Sequence, residues 1–337
     1  MTTHLKRPDS HELAQRKQDH IELTHRSRTG VDLLDARFDY EPLFFAHPQA
    51  SDRWPSTFLG HNLDFPFWIS SMTGGGESSK IINHNLARLC GAYKLGMGLG
   101  SCRAVLEDKN ASDFQVRKHM GSQPLFANLG IAQVEELIAS NKDSCIHEMV
   151  KTLEADGLII HINPLQEWIQ PGGDRFKQSP IETLTKFLET ATYSVLVKEV
   201  GQGMGPRSLK ALLELPLAGI EFAAFGGTNF SLLESQRSQG PNLHAPFVKV
   251  GHTALEMVEM LNALPTRGKE FIISGGIANV LDGYYLKSKL KSPALIGMAS
   301  AFLVPAKESY ESLESYFLQL SEALLVAKGS LSVRESE

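Results

Sequence analysis

Eight short apolar runs recur along the chain, each ending in small or polar residues, with stretches of helical periodicity between most of them. They are Phe67–Ser71, Leu95–Gly100, Leu125–Ala127, Leu158–Ile160, Val195–Val200, Ile220–Phe225, Phe271–Ile273 and Ala294–Ile296. Runs of this kind read as strands buried on both faces, the condition of a parallel sheet covered by helices. Helical spacing follows over Ser78–Gly91, with Ile81, Ile82, Leu86 and Leu89 on one face, and again over Pro180–Thr192, Ala254–Leu264, Leu281–Leu290 and Tyr310–Ala327. Eight strands alternating with helices match the strand number of a closed (β/α)8 barrel. An open doubly wound sheet is the rival, but no Gly-x-Gly-x-x-Gly turn follows the first strand. The sequence therefore predicts an α/β protein, a (β/α)8 TIM barrel over residues 67–337. An N-terminal arm and extension, residues 1–66, is expected to pack across one mouth. Within that arm the charged segment His4–His25 reads as a helix that places Arg16 and His20, four apart, on one face.

In such barrels the chemistry sits on the loops that follow the strands. Reading only those positions gives Thr73, Ser101, Arg103, Asn128, His161, Gln166, Glu167, Lys198, Thr228, Gly276 and Ala299. The fourth strand runs directly into His161, Asn163, Gln166 and Glu167, with Pro164 ending any further pairing. Gly275-Gly276 after the seventh strand and Gly297 after the eighth permit close backbone approach, and those two loops are the usual phosphate cradle of the fold. Lys198 lies inside an apolar strand, where a charge needs a partner or a task. It suits either an electron-rich cofactor edge or a Schiff base. Glu199, facing the other way, is expected to be an ion-pair partner, and the long segment Ser235–His252 to act as a lid.

Bulk properties narrow the class. Of 337 residues, 42% are apolar and 21% charged, an ordinary soluble composition. No apolar run approaches the ~18 residues of a membrane span, and the first residues lack a secretory apolar stretch. Three widely spaced cysteines, Cys90, Cys102 and Cys145, form no metal motif and fit a reduced, cytoplasmic setting. A net charge of -5 argues against a nucleic-acid surface, so an anionic ligand would need locally placed basic groups.

Taken together, several motifs resemble type II isopentenyl-diphosphate isomerase, an FMN-dependent (β/α)8 enzyme that interconverts isopentenyl and dimethylallyl diphosphate. They are Arg16-Lys17-x-Asp19-His20, Met72-Thr73-Gly74-Gly75, Ser101-x-Arg103, Ala127-Asn128-Leu129-Gly130, His161-x-Asn163-x-x-Gln166-Glu167, Val197-Lys198-Glu199-Val200-Gly201, Gly226-Gly227-Thr228-Asn229 and Ser274-Gly275-Gly276-Ile277. The resemblance runs in order from about Arg16 to Leu303. It implies flavin contacts at Met72, Thr73, Gly74, Ser101, Asn128, Lys198 and Thr228, and a flavin-phosphate cradle at Gly276, Ile277, Ala299 and Ser300. It implies substrate binding by Arg16, Lys17, His20, Ser101, Cys102, Arg103, His161 and Gln166, with Glu167 as the Mg2+ ligand. Gln166 and His161 are the implied catalytic side chains, Gln166 as proton shuttle or orienting group. NADPH is the implied reductant of FMN, and a homo-oligomer, tetramer or octamer, the implied assembly in isoprenoid biosynthesis.

The chain also departs from the family pattern. Ala278 stands where the family has Arg, which removes a flavin-phosphate contact and predicts weaker FMN retention. Phe230 replaces Trp, Cys102 replaces Gln, and Glu221-Phe222-Ala223-Ala224-Phe225 replaces Asp-x-Ser-Gly-x. A buried, inert thiol is expected at Cys102. The alternatives are an FMN barrel oxidoreductase of the α-hydroxy-acid oxidase kind and a non-catalytic flavin- or phosphate-binding barrel. The former needs a late catalytic His, and His244 and His252 lie without that setting.

Overall fold

The computed structural model describes residues 10–71, 74, 77–108, 112–237 and 243–335. The described chain forms two compact units, one ending at Asp39 and taking in the chain from Arg334, the other spanning Tyr40–Val333. In the first, helix Ser10–Leu23 is held by i,i+4 bonds from Gln15 to Asp19 and from Gln18 to Glu22, each 2.8 Å. Arg16, Lys17 and His20 lie exposed on it.

The second unit is a closed barrel of eight parallel strands. They are β1 (Phe67–Ile69), β2 (Gly96–Gly98), β3 (Leu125–Gly130), β4 (Gly157–His161), β5 (Ser194–Lys198), β6 (Gly219–Glu221), β7 (Glu270–Ser274) and β8 (Ala294–Met298). Each pairs with the next in sequence, and β8 closes on β1 through Ile296–Phe67 and Met298–Ile69. Each overlaps one of the eight predicted runs, with ends that differ by up to four residues. The alternation of buried side chains fills the interior: Trp68, Phe126, Ile159, Leu196, Ile272 and Leu295 form one fully buried layer. Trp68 takes the space that a side chain on β2 would need, since a Cβ at Gly96 would lie 2.6 Å from its ring carbon Cε3. Phe58 and Leu63, from the hairpin Ser56–Phe58/His61–Leu63, join this layer from below and plug the N-terminal mouth. Burying eight large apolar side chains at about 2 kcal/mol each makes this plug and layer the rigid base of the rim.

Two starts of the outer helices are fixed by local sequence: capping boxes at Ser179/Glu182 and Thr253/Glu256 begin Pro180–Leu188 and Ala254–Asn262. Periodicity alone did not reveal the short helices Arg103–Asp108, Pro164–Ile169 and Phe230–Arg237. Each is under three turns and lies within the segment that follows a strand, so its pattern merges with the loop. The expected lid is also more structured than its composition indicated. Residues 238–242 lie outside the described residues. Ala245–Lys249 is a tight helical turn bound to the loop after β5, where Gln202 Nε2 donates to the Phe247 and Val250 carbonyls.

Candidate active site

At the C-terminal mouth the next inward-facing layer is polar. Asn128 follows Phe126 on β3, His161 follows Ile159 on β4, Lys198 follows Leu196 on β5 and Ser274 follows Ile272 on β7, each two residues further along its strand. Gly219 pairs with Leu196, and two residues on Glu221 pairs with Lys198. The layer opens into two adjoining cavities. The larger, about 640 Å³ with its open mouth, reaches from Lys198 across Glu221 and Thr228 to Gly276, Ile277, Ala299 and Ser300. The smaller, about 470 Å³ by the same measure, is lined by Ser101, Asn128, His161 and Gln166. Ser71, Lys198, Val200 and Phe230 border both.

Lys198 is 6% exposed and donates from Nζ to the Glu199 carbonyl at 2.7 Å. Glu199 is not the ion-pair partner expected of it. Its Oε2 accepts the backbone N–H groups of Gly201 (2.7 Å), Gln202 (2.5 Å) and Gly203 (3.1 Å), so the carboxylate folds the loop after β5. Burial pushes its pKa above the usual carboxylate range, against those donors and the Lys198 charge. His161 bonds through Nδ1 to Asn128 Oδ1 at 2.7 Å. Enclosure of the ring, and secondarily the Lys198 charge, push its pKa down to about 3. The imidazole is therefore neutral at physiological pH, with its proton on Nδ1.

Behind the smaller cavity a network ties the loops after β2, β3 and β4 together. Asn163 Nδ2 donates to Glu167 Oε1 (2.8 Å), and the Asp174 backbone N–H donates to Glu167 Oε2 (2.7 Å). Asp174 Oδ2 in turn accepts from Arg103 Nη1 (3.0 Å) and Gln133 Nε2 (2.6 Å), while Arg103 Nε also pairs with Glu107 (2.6 Å). Glu167 is 9% exposed and Asn163 2%, and Asn163 Oδ1 has no partner. No group of three His, Cys, Asp or Glu side chains converges among the described residues. A divalent cation at Glu167 would draw its other ligands from a bound anion and solvent. Each Glu167 oxygen accepts one bond of the two it can take, so the carboxylate fits that role.

The loop after β7 turns on Gly275 (φ 83°) and Gly276 (φ 71°), both left-handed. A Cβ on Gly276 would lie 2.9 Å from the Phe225 carbonyl, so glycine lets this loop lie on the one after β6. Ser300 opens helix Ser300–Glu308 on the same cavity, and its electropositive end faces the glycine turn across that space. The helix after β7, Val280–Lys289, closes its own start. Asp282 Oδ2 accepts from the N–H groups of Ala278 (2.9 Å) and Asn279 (3.1 Å), and Asn279 caps the first turn. With Ala278 exposed and its N–H engaged, the anion cradle rests on Gly276, Ile277 and Ser300.

No protein-family model matches the chain. It is 33% identical over 323 residues to isopentenyl-diphosphate delta-isomerase of Xanthobacter autotrophicus, covering 93% of this chain and 92% of that one. It is 32% identical over 338 residues to the enzyme of that name from Deinococcus radiodurans, with 97% and 98% covered. The chain belongs to the isopentenyl-diphosphate delta-isomerase family. Among solved structures, a flavocytochrome b2 variant with sulfite bound aligns at TM-score 0.59 and 13% identity over 87% of this chain and 72% of its own. A mandelate oxidase variant holding a monooxide FMN adduct aligns at 0.55 and 12% over 87% and 88%. At these identities the likeness speaks for the barrel fold.

Set against the family pattern, the mouth gathers Ser101, Asn128, His161, Gln166, Lys198, Thr228, Gly276, Ile277, Ala299 and Ser300 on the two cavities. Gly74 lies beside them, where a Cβ would stand 3.5 Å from the Ser101 carbonyl. Met72 and Thr73 lie outside the described residues. Glu167 stands next to Gln166 on helix Pro164–Ile169 but lines neither cavity. Cys102 corrects its assignment as a substrate contact. Its thiol is fully buried, donates to the Gly100 carbonyl and is pushed up to about 12 by burial, and its N–H is taken by the Asn128 carbonyl. His244 packs on Trp168 and Phe247 and, like His252, lines neither cavity. Sequence reasoning missed Asp174 and Gln133, which carry no pattern of their own. It also missed Ser70, which the two-residue alternation beyond Trp68 could have found.

Proposed function

We propose that this chain interconverts isopentenyl diphosphate and dimethylallyl diphosphate, with reduced FMN as the acid–base group and Mg2+ on the diphosphate. The single observation that supports it best is the pair of adjoining cavities with Lys198 and Phe230 on their common border, in a chain about one-third identical to enzymes of that name. The larger cavity, with Lys198 at one end and the glycine turn and helix start at the other, suits a flavin nucleotide; the smaller suits an isoprenoid diphosphate. When bound and reduced, FMN supplies a proton at its N5 nitrogen and an electron-rich face for positive charge developing on the alkene, with no net redox.

The chain's own residues divide the remaining work. Lys198, buried and positively charged, holds the anionic edge of the reduced ring. Gln166, on the border of the smaller cavity, orients the alkene or relays its proton. Neutral His161, its ring fixed by Asn128, gives a directional contact to the substrate rather than a charge. Arg103 neutralises the diphosphate once it exchanges Asp174 for phosphate oxygens. Glu167, held by Asn163 and the Asp174 backbone, anchors Mg2+. NADPH would supply the reducing equivalents for the flavin, and a homo-oligomer is the assembly proposed. The test is incubation with isopentenyl diphosphate, FMN, NADPH and Mg2+, leaving out each in turn. Dimethylallyl diphosphate should form only in the full mixture. Formation without FMN would overturn the reading.

A further inference from the structure

The floor of the larger cavity carries a continuous polar arc that the proposed chemistry does not use. Its members are Glu221 on β6, Ser274 on β7, Gly297 on β8 and Ser70, just past β1, all lining that cavity. Ser274 Oγ donates to Glu221 Oε1 at 3.2 Å, Ser274 pairs in register with Gly297, and the Ser70 N–H donates to the Met298 carbonyl at 2.9 Å. A Cβ at position 297 would stand 2.7 Å from Ser70 Oγ and 2.9 Å from Ser274 Cβ, so glycine there keeps the arc open. The two ends of the arc hold buried atoms without partners among the described residues, Glu221 Oε2 and Ser70 Oγ. Glu221 is fully buried, and Lys198, its register partner on β5, donates to the Glu199 carbonyl instead. A carboxylate oxygen kept dry and unpaired beside a cavity is an acceptor waiting for a donor.

Resting on the flavin reading above, the two ends of the ligand are the ring edge at Lys198 and the phosphate at Gly276 and Ser300. Between them such a ligand carries a polyol, a run of hydroxyl donors with no charge. We propose that Glu221 is a recognition residue for this polyol. Its free oxygen accepts a hydroxyl proton while Ser274 holds the other oxygen in place, and Ser70 contacts the chain further along. At the phosphate end residue 278 is an alanine, and its N–H is already engaged by Asp282. A carboxylate under the polyol moves part of the recognition from the phosphate to the hydroxyls.

The test uses the full chain and flavin fluorescence, titrating FMN, riboflavin and the 2′-, 3′- and 4′-deoxy analogues of FMN against the unsubstituted protein, Glu221→Ala and Glu221→Gln. Glu221→Ala should weaken FMN and riboflavin about tenfold alike. One deoxy analogue, lacking the hydroxyl that Glu221 holds, should bind the unsubstituted protein about tenfold more weakly than FMN and lose nothing further in Glu221→Ala. Glu221→Gln, which keeps an oxygen acceptor, should show the same pattern with a smaller step, and it carries the test should the alanine variant fail to fold. Equal weakening of all three deoxy analogues would mean a structural role and overturn the proposal, as would unchanged FMN binding. If the unsubstituted chain takes up no FMN, the functional reading itself falls, which is a different result from FMN bound equally by both proteins.

Discussion

On the side of β3 and β4, the polar groups at the strand tips bond to one another: His161 to Asn128, Asn163 and the Asp174 backbone to Glu167, Arg103 and Gln133 to Asp174. On the side of β6 to β1, Glu221 Oε2, Ser70 Oγ and Ser71 Oγ have no partner among the described residues. Asn163 Oδ1 is the exception on the first side. A ligand entering the second side relieves unsatisfied groups and breaks nothing, so binding there is preorganised. A ligand entering the first side must exchange internal bonds for its own, which only a highly charged group does favourably. The contrast fits a resident cofactor on one side and a transient, metal-bound diphosphate on the other.

The sharpest way to break that contrast is Glu167→Gln. It should lower turnover of isopentenyl diphosphate by at least about a hundredfold while leaving FMN affinity unchanged, measured by product formation across a Mg2+ titration and by flavin fluorescence. Loss of FMN binding in this variant would show that the two sides are one unit. Ala278→Arg works on the other side. It should tighten FMN about tenfold through a charge-assisted phosphate contact and leave riboflavin unaffected. An equal gain for both ligands would place residue 278 away from the phosphate.

The neutral histidine gives a third test. Unfolded, His161 titrates near 6.5, whereas the folded protein holds its pKa at about 3. The unfolded chain thus binds more protons between those values, and stability falls as pH drops from about 6.5 toward 3. The loss is at most about 1.4 kcal/mol per pH unit. Urea unfolding between about pH 4 and pH 7 should show a shallower slope for His161→Gln than for the unsubstituted chain. Identical slopes would mean that the ring is hydrated and titrates freely. The smallest expected effect is Asp174→Asn, which frees Arg103 from one of its two carboxylates. If diphosphate binds by exchange, the KM for isopentenyl diphosphate should fall about threefold. A rise would make Asp174 a positioning residue for Arg103 instead.

Much of this was legible before any coordinates. Strand-buried runs such as Leu158–Ile160 and the small residues at their ends needed only local periodicity, because a buried parallel strand tolerates few polar side chains. Lys198 stood out for the same reason. Short helices such as Pro164–Ile169 were not legible, since one turn and a half has no periodic signal to read. The buried thiol expected at Cys102 is found, but that the Asn128 carbonyl of β3 takes its N–H was not legible from its neighbours in sequence.

By itself, the sequence determined the eight-strand barrel, the polar ring at the strand tips and the family to which those tips belong, because alternation and motif order are written along the chain. Only the tertiary structure decided that His161 is neutral, that Glu199 folds a loop instead of pairing a charge, and that Glu221 keeps an oxygen free. Charge state and hydrogen-bond satisfaction depend on what other strands bring within about 3 Å, and that is set by closure of the barrel.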